Sequence, residues 1–117
     1  MLECIEKGFG CSRERYERAQ GRARVCRGLL DQIIARFDFL LTPSTTGEAP
    51  KFESGTGSSI FNRAWTLLRV PCVTIPSPVK SGDLPIGIQL VGKYGADEAL
   101  LYWSDWAFSI LNDGSTY

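Results

Sequence analysis

The residue order predicts an α/β fold, a small mixed sheet flanked by helices. Three features of the chain lead there. Stretches on either side of the centre carry apolar residues at three- and four-residue spacing, the mark of one face of a helix. Three short apolar runs end at proline or glycine, as buried strands do. A further helical pattern lies between two of those runs, which suits a crossover connection. At 117 residues the chain has the length of one ordinary domain, so residues 1–117 are expected to fold as a single unit.

The first long helix is expected over 14–37. Tyr16, Ala19, Ala23, Cys26, Leu30, Ile33 and Phe37 form one stripe along it, and the Ser12 hydroxyl can cap its start. Glu14 and Arg18 stand four apart and support each other. Gly21 and Gly28 weaken this helix by up to ~1 kcal/mol each relative to alanine. The apolar run 37–42 then reads as a strand closed by Pro43, with Asp38 facing solvent or the sheet edge. From Pro43 to Gly57 the chain is rich in turn residues and forms a loop long enough to be functional.

Ser58 opens a second helix, 58–68, with Ile60, Phe61, Ala64, Trp65 and Leu68 on one side. It stops before Val70, whose backbone is biased away from the helical region by Pro71. Strands follow at 72–76 and 86–91. Only Ser77 to Pro85 joins them, too short for a parallel crossover, so this pair is expected to be antiparallel. Strand 37–42, helix 58–68 and strand 72–76 instead fit a right-handed parallel crossover. A last helix, 97–111, is expected to start from Asp97 as its cap and to bury Leu100, Trp103, Ala107 and Ile110. Trp65, Trp103 and Trp106 are all assigned to the core.

The charge balance excludes several functions. Thirteen basic and thirteen acidic residues cancel, so no overall field draws the chain to nucleic acid or an anionic membrane. Arg13, Arg15, Arg18, Arg22, Arg24 and Arg27 are mixed with Glu14 and Glu17 around the first helix, which points to a solvated or partner-facing surface. No apolar run approaches the roughly 18 residues of a membrane span. Glu3 and Glu6 rule out a signal peptide within Met1–Gly10, and the spacing of Cys4, Cys11, Cys26 and Cys72 suits reduced thiols, so a cytoplasmic location is expected.

There is no histidine, which removes the Ser-His-Asp triad, the Cys-His dyad and histidine-ligated zinc together. No metal or cofactor is expected. The loop Ser54-Gly-Thr-Gly-Ser-Ser59 has the look of a phosphate cradle but lacks the lysine that a P-loop requires. Ser58 and Ser59 have no histidine to activate them, and Lys51 is near only in sequence.

Four motifs in order carry a resemblance. Phe37-Asp-Phe-Leu-Leu-Thr-Pro-Ser-Thr-Thr-Gly-Glu-Ala-Pro50 comes first, then Thr56-Gly57 through Thr66-Leu67-Leu68. Val70-Pro-Cys-Val-Thr-Ile-Pro76 and Leu84-Pro-Ile-Gly-Ile-Gln-Leu-Val-Gly92 follow. Together with Tyr16 and Ala19 on the arginine-rich helix and the Leu100-Leu101 helix, they resemble the C-terminal segment of the amidase-signature family over roughly residues 1 to 110. That family includes bacterial amidases, fatty acid amide hydrolases and the A subunit of glutamyl-tRNA amidotransferase. Arg69 stands where the family often has glycine.

The resemblance implies an enzyme class that cleaves or transfers amides with a serine nucleophile, a second serine in a cis peptide and a lysine base. None of those motifs is present here: the chain has no Gly-Thr-Asp-x-Gly-Gly-Ser-x-Arg stretch. No catalytic residue is therefore assigned, and the chain by itself is expected to be inactive. The resemblance further implies that Thr45, Phe61 and Trp65 approach the acyl-binding pocket of a parent enzyme. Sheet edges and an apolar face left open by the missing portion predict self-association or pairing with a catalytic-domain partner. The alternative is a non-catalytic α/β interaction module.

Overall fold

The computed structural model describes residues 2–79 and 84–113. Helices α1 (Leu2–Phe9) and α2 (Arg13–Ile34) come first, then strand β1 (Leu40–Pro43) and helix α3 (Ile60–Leu68). Strands β2 (Cys72–Pro76) and β3 (Gly87–Val91) and helix α4 (Asp97–Asp113) complete the chain. No described helix is long and apolar enough to cross a membrane.

The sheet has the order β1-β3-β2, and both of its hydrogen-bonded pairs are antiparallel. β1 and β2 therefore run in the same direction, as the crossover reading requires, but β3 is inserted between them. The expected mixed sheet is in this respect an antiparallel one. Its connection from β2 includes residues 80–83, which lie outside those described. The register stacks Leu41, Leu90 and Val73 in one row and Thr42, Gln89 and Thr74 in the next. Because side chains alternate along a strand, the first row faces one side of the sheet and the second the other, where Leu40 and the buried Val91 also lie.

α4 covers the side of the Leu90 row. Ile75, Leu90, Leu100 and Ala107 form the buried core, with Phe39, Val73, Ile88, Trp103 and Leu111 packed around it. The rings of Phe39 and Trp103 lie 5.9 Å apart, and Trp106 meets Trp103 edge-on at 5.6 Å. Ile110 and Trp106 remain largely exposed, so neither belongs to the core as the spacing had suggested. Asp97 is the first residue of α4 and not its cap, since the Leu100 amide bonds to the Ala96 carbonyl. Asp97 and Glu98 still face the positive end of the helix.

Other boundaries shift for local reasons. α2 is capped by Ser12, whose hydroxyl accepts the Arg15 amide at 3.3 Å. It ends at Ile34, and residues 35–39 turn before β1 begins at Leu40, three residues later than the apolar run implied. Asp38 is thus in a bend and exposed. α1 is a helix that the apolar spacing does not predict. α3 starts at Ile60, because the Ser58 hydroxyl takes the Ile60 amide in a tight turn that keeps 58 and 59 outside the helix. α3 closes in a Schellman arrangement, with the Val70 amide on the Trp65 carbonyl and the Arg69 amide on that of Thr66.

α2 packs chiefly on α3 and reaches away from the sheet. Only Ala23 and Ile34 are buried on it, while Tyr16 is 58% exposed and Ile33 is 54% exposed. The radius of gyration is 17.2 Å, against about 13 Å for a compact chain of this length. The accessible surface is 9194 Å². A compact monomer of this mass exposes about 6,300 Å², so roughly 2,800 Å² is in excess.

Candidate functional site

The loop after β1 folds back over the start of β3. Both the amide and the hydroxyl of Ser44 donate to the Gly87 carbonyl, at 3.1 and 3.0 Å. The Ala49 amide reaches the Pro85 carbonyl at 3.0 Å. Glycine is required at 87, because a Cβ there would collide with the Ser44 hydroxyl and lie 2.8 Å from the Thr74 methyl. The fold-back leaves an open hollow of about 320 Å³ walled by Ser44, Thr45, Ala49, Thr74, Pro85 and Gly87.

A hydrogen-bonded chain joins this hollow to α3. Gln89 is 3% exposed in the centre of the sheet. Its Nε2 donates to Asn62 Oδ1 at 2.7 Å, and the Thr42 hydroxyl donates to its Oε1 at 3.3 Å. Asn62 Nδ2 in turn donates to the Ser44 carbonyl at 3.4 Å. One buried amide thus fixes α3, β1 and the loop relative to one another. Neither Gln89 nor Asn62 is among the residues that the sequence singles out. The signal available is a glutamine in an otherwise apolar strand, which must find partners if both faces of the sheet are covered.

Thr45 stands in the wall of the hollow. Phe61 and Trp65 do not line it. They are half-buried on α3, either side of Asn62. The indole N–H of Trp65 is sealed from solvent and has no hydrogen-bond partner among the described residues. Such an orphan donor costs about 1–3 kcal/mol.

The serines around the loop make local hydrogen bonds. The Ser44 proton goes to Gly87, the Ser58 oxygen accepts Ile60, and the Ser59 oxygen accepts Arg63 Nε at 3.0 Å. Lys51 bonds to neither Ser58 nor Ser59. Cys11, Cys26 and Cys72 are free thiols, while the Cys4 side chain lies outside those described. Desolvation raises the Cys72 thiol above its ordinary range, which keeps it protonated and unreactive near neutral pH.

A family profile described as Amidase matches residues 5–101. Over 92 residues the chain is 34% identical to the glutamyl-tRNA(Gln) amidotransferase A subunit of Neisseria gonorrhoeae, covering 74% of this chain and 19% of that protein. The corresponding mitochondrial protein of Mus musculus is 32% identical over 116 residues, 87% of this chain and 22% of the relative. Among solved structures, an amidase superposes with a TM-score of 0.75 at 26% identity, over 93% of this chain and 28% of the other. The same amidotransferase chain from Thermotoga maritima gives 0.63 at 21% identity, over 86% and 23%, and shares the fold. The chain spans about a fifth of the length of the curated relatives it matches.

Proposed function

Because the chain belongs to the amidase family, we propose that it forms the C-terminal part of an amide-hydrolysing enzyme and has no hydrolytic activity by itself. The observation that carries this reading is the family match over residues 5–101 in a chain without the lysine and serine motifs. Its docking partner is then the segment of an amidase-type chain that bears those catalytic groups. The excess surface supports that occupant, because it is several times the ~800 Å² that each partner gives to an ordinary interface. The covered faces would be the apolar Val25, Leu29 and Ile33 side of α2 and the apolar edge of β1 beside Trp106 and Ile110. Exposed free thiols at Cys11 and Cys26 support a cytoplasmic setting.

Hydrolysis of a small aryl amide by the purified chain is expected to match the buffer rate. Addition of the catalytic segment of an amidase should raise it. A rate in the isolated chain that disappears on Lys51→Ala or Ser58→Ala substitution would place the active site in the Ser54–Ser59 loop and overturn the proposal. A concentration-dependent dimer in sedimentation, with no binding to the catalytic segment, would favour the interaction-module reading instead.

In the assembled enzyme, Thr45, Phe61 and Trp65 are the residues we assign to the acyl side of the pocket. The position of Thr45 in the wall of the hollow supports this. Trp65→Ala should change the preference between short and long acyl amides by about tenfold, the order expected when apolar contact with the longer chain is lost. An equal fall for every substrate, accompanied by lower stability, would assign Trp65 to packing alone.

A further inference from the structure

A second site lies away from the hollow, between α2 and the end of α3. Arg24, Arg27 and Arg69 wall a cleft of about 310 Å³ together with Tyr16, Glu17 and Gln20. Tyr16, Gln20, Arg24 and Arg27 follow one another at three- and four-residue spacing on one side of α2. Arg27 spends two donors, Nε and Nη2, on the Leu67 carbonyl at 3.1 and 2.7 Å, which fixes its guanidinium at the C-terminus of α3. Arg24 and Arg69 have no acceptor among the described residues. Glu17, the sole carboxylate in the wall, is held by Arg13 at 2.8 Å.

Arg69 is the unusual member. It has φ 62° and ψ 35°, and it is the only non-glycine residue with positive φ among those described. A left-handed backbone costs a residue with a side chain of the order of 1 kcal/mol, where glycine would fit without strain. Beyond the backbone bond of its amide to Thr66, which glycine would make equally, its side chain contributes no hydrogen bond among the described residues that would offset this cost. What its side chain does provide is a third guanidinium in the cleft. Strain held at a position that completes a charged cluster directs attention to a ligand.

We propose that this cleft binds a phosphate group. Three guanidinium groups arriving from two elements supply planar, paired N–H donors that match phosphate oxygens, with Tyr16 and Gln20 as neutral donors at the side. A carboxylate, with one charge and two oxygens, would leave most of these donors unused.

The test is a titration of the whole chain with inorganic phosphate, with sodium acetate and sodium chloride at matched ionic strength as comparisons. Thermal unfolding and calorimetry are the readouts. Phosphate is expected to raise the melting temperature in a saturable manner that acetate and chloride do not reproduce. Arg69→Gly relieves the strained backbone, so it should melt at the same temperature or higher without phosphate, yet bind phosphate at least about tenfold more weakly. Arg24→Gln, on an exposed side of α2, should weaken binding similarly without altering the fold. Equal responses to phosphate, acetate and chloride, or unchanged affinity in both variants, would overturn the proposal. Failure of the amidase reading would leave this result untouched.

Discussion

Leu90→Ala is expected to lower the unfolding free energy by about 3 kcal/mol, within the range for leucine truncation in well-packed cores. Leu90 is fully buried on the central strand, next to its middle residue. It packs with Ile75, Leu100 and Ala107, and the alanine variant would leave a cavity that strands hydrogen-bonded on both sides of β3 cannot close. Seven apolar residues are buried among those described, so this single loss removes a large part of the core. Urea unfolding should show a lower midpoint, and thermal unfolding a fall of more than roughly 10 °C. Leu101→Ala is the comparison. Leu101 is 60% exposed one position along the same helix as Leu100, and its truncation should change stability by less than about 0.5 kcal/mol. Equal effects of the two substitutions would mean that the sheet–α4 layer is not the folding core.

The two faces of the sheet explain what was legible in the sequence. In Cys72-Val-Thr-Ile-Pro76 the alternation of apolar and polar residues is plain, and it settles both the strand and which side meets α4. The antiparallel pairing of β2 with β3 follows from the length of the connection alone. The insertion of β3 between β1 and β2 is not legible, because it depends on which edge of β2 has a partner available. No local pattern encodes that. Ile110 and Trp106 show a second limit. Their spacing marks an apolar stripe, but each stands one position before Ala107 or Leu111, which meet the sheet, and so lies on the flank of α4.

The same reasoning applies to α2 and to the candidate site. Tyr16 and Ile33 belong to a stripe that periodicity assigns to a core, yet α3 alone is too narrow to bury it. Periodicity identifies a face that needs covering and says nothing about whether the covering element lies in the same chain. At the site, Thr45 is placed by motif resemblance, and it does border a hollow. Asn62 and Gln89 stay hidden in the sequence, because a polar residue in an apolar run carries no label for the partner 27 positions away. Arg69 stands out in sequence only for the glycine it replaces. Its significance comes from Arg24 and Arg27, which reach the same cleft from another helix.

Gln89→Leu should cost roughly 1–2 kcal/mol although leucine has nearly the same volume, since it removes two hydrogen bonds and leaves the half-buried Thr42 hydroxyl behind, while the exposed Asn62 can turn to water. The Thr42 hydroxyl loses its acceptor and Asn62 Oδ1 its donor. The core beneath is unaffected, because Gln89 points to the face opposite Leu90. The damage should therefore be local to the join between α3 and the sheet. Amide hydrogen exchange should accelerate across Ile60–Leu68 while Leu100–Ala107 on α4 stays protected. The double variant Asn62→Leu with Gln89→Leu separates a lost interaction from an unsatisfied one. With both polar groups gone, its stability should lie above the sum of the two single losses by about 1 kcal/mol or more. Strict additivity would show that Asn62 and Gln89 do not act as a pair. Faster exchange in α4 would show that the two faces of the sheet are not independent. If the coupling holds, the buried Gln89 amide is what sets α3 and the Ser44–Ala49 loop in one fixed relation through Asn62.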